Sequence, residues 1–80
     1  MKWTKDPKYE PRTRACKLAL LTEEAGEVQA AVGKLIRFGG GGVDPRLPGD
    51  KVRTNRQALL DELKDLEMAL QLVREALSAL

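Results

Sequence analysis

Apolar residues recur at three- and four-residue steps along two stretches of the chain, with a break between them. Leu18, Leu21, Ala25, Val28, Val32 and Leu35 keep the rule through the first stretch, and no proline falls between Thr13 and Arg37. Side chains three and four apart lie on one face of an α-helix, so this spacing predicts an amphipathic helix over 13–38. Leu59, Leu63, Leu66, Leu70, Val73, Leu77 and Leu80 alternate steps of four and three. That seam of coiled-coil type predicts a second helix over 54–80. Thr54 and Gln57 have the spacing of a capping box at its start, and Gly39 to Gly42 end the first helix. No stretch alternates in the manner of a strand. The pattern predicts an all-α fold, a long helical hairpin.

Outside the helices, residues 1–12 carry Pro7 and Pro11 and form a lead-in, where Asp6-Pro7 is suited to cap one short turn. Residues 39–53 form a loop with five glycines, Pro45 and Pro48. Connections this long are uncommon in compact domains unless they are functional or disordered. With its flanks the loop collects Lys34, Arg37, Arg46, Lys51, Arg53 and Arg56. It is either a solvated linker or a mobile basic arm that closes over phosphate groups.

Eighty residues make a single domain, 1–80, and a chain this short buries only about 60% of its unfolded surface. The 42% hydrophobic and 32% charged content excludes a disordered chain. Trp3, Tyr9 and Phe38 are its only aromatic residues, so the core is aliphatic. A net charge of +2 gives no electrostatic case for a nucleic-acid or membrane partner. No apolar run approaches the roughly 18 residues of a spanning helix, and the N-terminus lacks the apolar stretch of a secretory signal. One cysteine, Cys16, forms no internal disulfide; it is expected to pack as a small hydrophobe in a reducing, cytoplasmic setting.

The acids change the picture. On the second helix Lys64, Glu67, Gln71, Arg74, Glu75 and Ser78 share one sector, an ordinary solvated face, at about 100° per residue. Glu62 and Asp65 lie opposite, flanked by the leucine seam and by Ala69, Leu72 and Ala76. On the first helix Glu23 and Glu27 share a face with Cys16, Ala19, Leu20 and Ala30, while Glu24 sits nearer the edge of the leucine stripe. Gly26 and Gly33 cost about 1 kcal/mol each within a helix, which predicts close approach of a neighbouring helix or ligand. Burying an unpaired carboxylate costs several kcal/mol. Pairing with cations, sharing protons or binding a metal would relieve that cost. Lys34, Arg37 and Arg56 are too few and too peripheral to neutralise five acids. Oxygen ligands without His or Cys favour Mg²⁺ or Mn²⁺ over zinc; the alternative is that the acids are solvated beside the seam.

Glu23-Glu24-Ala25-Gly26-Glu27 matches a Glu-Glu-x-x-Glu motif, and Glu62-Leu63-Lys64-Asp65 matches Glu-x-x-Asp. Together, on successive helices, they resemble the MazG-like all-α nucleoside triphosphate pyrophosphohydrolases, over roughly residues 14 to 75. Leu20-Leu21-Thr22, Lys34-Leu35-Ile36-Arg37 and Asn55-Arg56-Gln57 add to the likeness. The resemblance implies hydrolysis of a nucleoside triphosphate to monophosphate and pyrophosphate. It implies Mg²⁺, with Mn²⁺ an alternative, held by Glu23, Glu24, Glu27, Glu62 and Asp65. Glu24 would orient the attacking water, and Lys34, Arg37, Arg53 and Arg56 would bind the phosphates. It also implies a homodimer or homotetramer. The residues themselves point the same way, because Leu18, Leu20, Leu21, Ala31, Val32 and Ile36 cover much of the first helix. Pairing two hairpins into a four-helix bundle buries such surfaces. Two other functions fit the pattern: a non-catalytic helical interaction module, and a nucleotide-binding regulator without turnover.

Overall fold

The computed structural model describes residues 3–43, 46, 49 and 52–79, so that Pro45, Pro48 and Lys51 of the loop and Leu80 of the seam lie outside the described residues. Two helices, α1 (Arg14–Phe38) and α2 (Asn55–Ser78), pack against each other as a hairpin. A 3₁₀ turn at Pro7–Tyr9 precedes them, where Asp6 Oδ1 accepts from Lys8 N at 3.0 Å. Among the described residues no strand forms, and no helix is long and apolar enough to cross a membrane.

Each helix begins on a threonine whose hydroxyl takes up a free N–H of the first turn. Thr13 accepts from Cys16 N at 3.0 Å and Thr54 from Gln57 N at 3.1 Å; such caps are worth about 1 kcal/mol. The reciprocal half of the Thr54–Gln57 box does not form. The Gln57 side chain donates to Asp61 Oδ1 instead, at 2.9 Å. α1 ends at Gly39, whose φ of 79° is open to glycine without strain and whose N–H reaches Leu35 O at 2.9 Å.

The loop is sewn to the start of α2 at its base. Asn55 N donates to Gly42 O at 2.8 Å, Arg56 N to Gly40 O at 3.0 Å, and Val43 bridges Thr54. The Asn55 side chain, on a residue only 3% exposed, adds a bond from Nδ2 to Gly39 O at 3.1 Å. These bonds satisfy orphan N–H groups of the helix start and orphan carbonyls of the preceding turn. Gly42 is required there, because a Cβ would lie 2.8 Å from Phe38 O.

The hairpin contact follows the leucine seam only in part, with Val73 its one buried member among the described residues. The buried apolar residues of α2 are Met68, Ala69, Leu72 and Val73, whereas Leu63 and Leu77 of the seam are exposed. The α2 face turned to α1 is therefore the one bearing Glu62, Asp65, Ala69 and Leu72. On α1 it is Glu24 and Ala31 that are buried. Cys16, expected to pack, is exposed. Gly26 and Gly33 meet nothing within 4 Å of an added Cβ, so the close approach expected at them does not occur among the described residues. An aliphatic heptad marks a helix but not which of its faces meets the nearest neighbour.

Candidate metal centre

Three carboxylates converge at the middle of the helix contact. One oxygen each of Glu24, Glu62 and Asp65 lie within 4.8 Å of one another. A three-residue step puts Glu62 and Asp65 on one face of α2, and Glu24 comes from the facing side of α1. Glu24 is 5% exposed, and Glu24 Oε2 and Glu62 Oε2 are buried with no hydrogen-bond partner.

The electrostatics record the strain of that arrangement. Burial pushes the Glu24 carboxyl up from its ordinary value and the Asp65 charge adds to the rise, while Lys5 and a hydrogen bond with Glu27 oppose it. Burial raises Glu62 too, helped by the neighbouring Glu27 carboxyl and by the charge of Asp65, against Arg53. Glu27 is exposed as a residue yet stands beside both. Glu23 is exposed and lies outside the convergent group. Of the five acids, then, four gather and one faces away, with Glu24 at the centre rather than at the edge of the stripe.

Two cations from outside the helices lean on the cluster. Lys5 Nζ lies 3.2 Å from Asp65 Oδ2. Burial pulls the Lys5 ammonium down, but Asp65, with Glu24 and Glu27 behind it, outweighs burial and holds it above its ordinary value. Thr4 Oγ1, donating to Met68 Sδ at 3.6 Å, keeps this part of the lead-in against α2. Arg53 spans Asp61 Oδ2 at 2.8 Å and Glu62 Oε1 at 3.3 Å. The hydrogen bond from Gln57 and the Arg53 guanidinium hold Asp61 below its ordinary value. Lys5 carried no signal in the sequence: it sits in an aperiodic segment, and only the turn after it brings it back onto α2.

A groove of about 210 Å³ runs from these acids toward the loop, lined by Glu27, Lys34, Arg53, Asn55 and Glu62 over the small side chains of Ala30, Ala31 and Ala58. Lys34 and Arg53 thus face the acids. Arg37 lines a second hollow farther along, and Arg56 lines neither. The donor set fits a hard divalent cation. All its candidate ligands are carboxylates, and Glu24 and Glu62 each carry a buried oxygen with no hydrogen-bond partner. Octahedral ligation at about 2.1 Å sets ligand oxygens roughly 3–4 Å apart, within reach of small side-chain rotations. Among the described residues the ion pairs onto these acids come from Lys5 and Arg53, the latter shared with Asp61. A divalent cation would balance the remaining charge. No family model matches the chain, and no curated protein or solved structure matches it either.

Proposed function

We propose that the chain is a Mg²⁺-dependent nucleoside triphosphate pyrophosphohydrolase of MazG-like type, releasing a monophosphate and pyrophosphate. The observation that supports this reading is the convergence of half-buried Glu62 and Asp65 on buried Glu24, with a partnerless oxygen on each glutamate. A structural interface gains nothing from such a group. Glu24, Glu62 and Asp65 would hold the metal, with Glu27 beside them. Bound there, Mg²⁺ supplies charge neutralisation for the triphosphate and a more acidic water.

The chain's own residues do the rest. Glu24 Oε2 has no hydrogen-bond partner and would accept a hydrogen of the attacking water. Lys34 and Arg53, on the groove wall, would neutralise the leaving pyrophosphate. Exposed Leu18, Val32, Ile36, Leu60, Leu63 and Leu77 support burial against a second hairpin, and hence a homodimer or homotetramer built as a four-helix bundle. Sedimentation should find a mass above that of one chain; a monomer at all concentrations would remove this part.

The test of the activity is pyrophosphate release from a panel of nucleoside triphosphates with Mg²⁺. Glu24→Gln and Asp65→Asn should each lower the rate at least a hundredfold, and turnover equal to that of the parent chain would sink the reading.

A further inference from the structure

Beyond the acid groove, at the end of α1 that meets the loop, lies a larger hollow of about 550 Å³. That is the size of a small-ligand pocket. Phe38 and Val43 give it an apolar wall, and Lys34, Arg37 and Arg46 give it three cations. Phe38 is 61% exposed, with the Arg37 guanidinium 5.8 Å from its ring centroid. The floor is fixed backbone: Asn55 ties down Gly39 and Gly42, and Gly42 admits no side chain. Rigid framing of an exposed aromatic ring by cations suits a flat, anionic ligand.

The two hollows adjoin, with Lys34 and Asn55 in the wall of both. Along α1 the distance from Glu27 to Phe38 is on the order of 16 Å, the rise of eleven residues. A ligand that uses both must be elongated, with phosphates at the acid end and a planar group at the other. We propose that this hollow takes the nucleoside end of the substrate, with the base stacked on Phe38 and Lys34 holding the phosphate chain at the junction. The inference rests on the nucleotide reading above and deepens it. The Asn55 amide, the one side-chain amide among the described lining residues, is already bonded to Gly39.

The experiment is calorimetric binding to the full chain with Mg²⁺, titrating a non-hydrolysable adenosine triphosphate analogue and, separately, inorganic triphosphate. The parent chain should bind the nucleotide about tenfold more tightly than inorganic triphosphate, the worth of one stacked base. Phe38→Ala should erase that advantage and leave the affinity for inorganic triphosphate unchanged, while Phe38→Trp should keep it. Circular dichroism checks the fold, and a side chain this exposed should be replaceable without unfolding. Equal affinity of the parent chain for the two ligands overturns the inference, as does an advantage that survives Phe38→Ala, or binding of neither ligand. A Phe38-dependent advantage without hydrolysis upholds this subsite and removes the catalytic reading. Acid-dependent hydrolysis without a Phe38 effect does the reverse.

Discussion

The contact between α1 and α2 is made of two different materials. Toward the chain termini it is an ordinary core, where Ala69 is fully buried and Met68, Leu72 and Val73 are nearly so. At its middle the same α2 face carries Glu62 and Asp65 against Glu24. The first region gains free energy from area removed from water, at about 25 cal/mol per Å². The second spends some of that gain on holding carboxylates together. A chain this small has little stability to spare. Retaining the acidic segment within the contact therefore argues for a use other than cohesion.

The sharpest way to break the comparison is to truncate one side chain in each region. Leu72→Ala should cost about 2–5 kcal/mol, the sum of lost transfer energy and a cavity, and should lower the melting temperature by at least 10 °C. Glu24→Gln, at the same depth, should have the opposite sign without metal at pH 7, because it removes an unpaired buried charge worth about 1 kcal/mol or more. If both substitutions destabilise alike, the acidic segment is part of the core and the distinction fails.

Metal should move only the acidic region. Mg²⁺ or Mn²⁺ at a hundred times its dissociation constant should add about 2.7 kcal/mol to the stability of the parent chain. The gain should vanish in Asp65→Asn and persist in Leu72→Ala, measured as the shift in thermal midpoint. A gain that survives Asp65→Asn would locate the ion elsewhere.

Acid titration separates the regions again. Glu24 and Glu62 titrate above their ordinary values in the folded chain. Folding therefore favours their protonated forms, and the contribution is full below the unfolded carboxyl value of about 4.3. As pH rises through the raised values that contribution is lost, so the metal-free chain should weaken from pH 4.5 toward neutrality. Urea midpoints across this range, with and without Mg²⁺, measure it. The fall should flatten once the ion replaces the protons, and a metal-free profile that rises with pH would contradict the arrangement.

How much of this was legible in the sequence follows from what each signal measures. The hairpin was, since three- and four-residue spacing, the Thr54 cap and a glycine stop are all local. Glu62 and Asp65 could be placed too, because the solvated sector of α2 leaves them on the other side. The identity of the central acid was not. Glu23 and Glu24 differ by one step of about 100°, and only the packing angle between the helices decides that Glu24 turns in and Glu23 out. The seam marked the helix but not its buried face: Val73 is buried, whereas Leu63 and Leu77 are exposed. Lys5 reaches Asp65 from an aperiodic segment sixty residues earlier, and Arg53 reaches Asp61 and Glu62 from just outside α2, so helical spacing carries no information about either.

The smallest expected effect tests whether the lead-in belongs to the acidic region. The Lys5–Asp65 pair is partly exposed, with side chains 44% and 30% accessible, so Lys5→Met should change stability at pH 7 by no more than about 1 kcal/mol. Its electrostatic reach is longer. Lys5 opposes the rise of Glu24, whereas Arg53 opposes that of Glu62. Carboxyl-carbon NMR titration of the metal-free chain should therefore find Glu24 displaced further upward in Lys5→Met, with Glu62 moving less. Removing a competing cation should also tighten Mg²⁺ binding severalfold, because the ion no longer displaces an ammonium. Equal shifts at Glu24 and Glu62, or none at either, would show that the lead-in merely touches Asp65 and is not a counter-ion held against the metal centre.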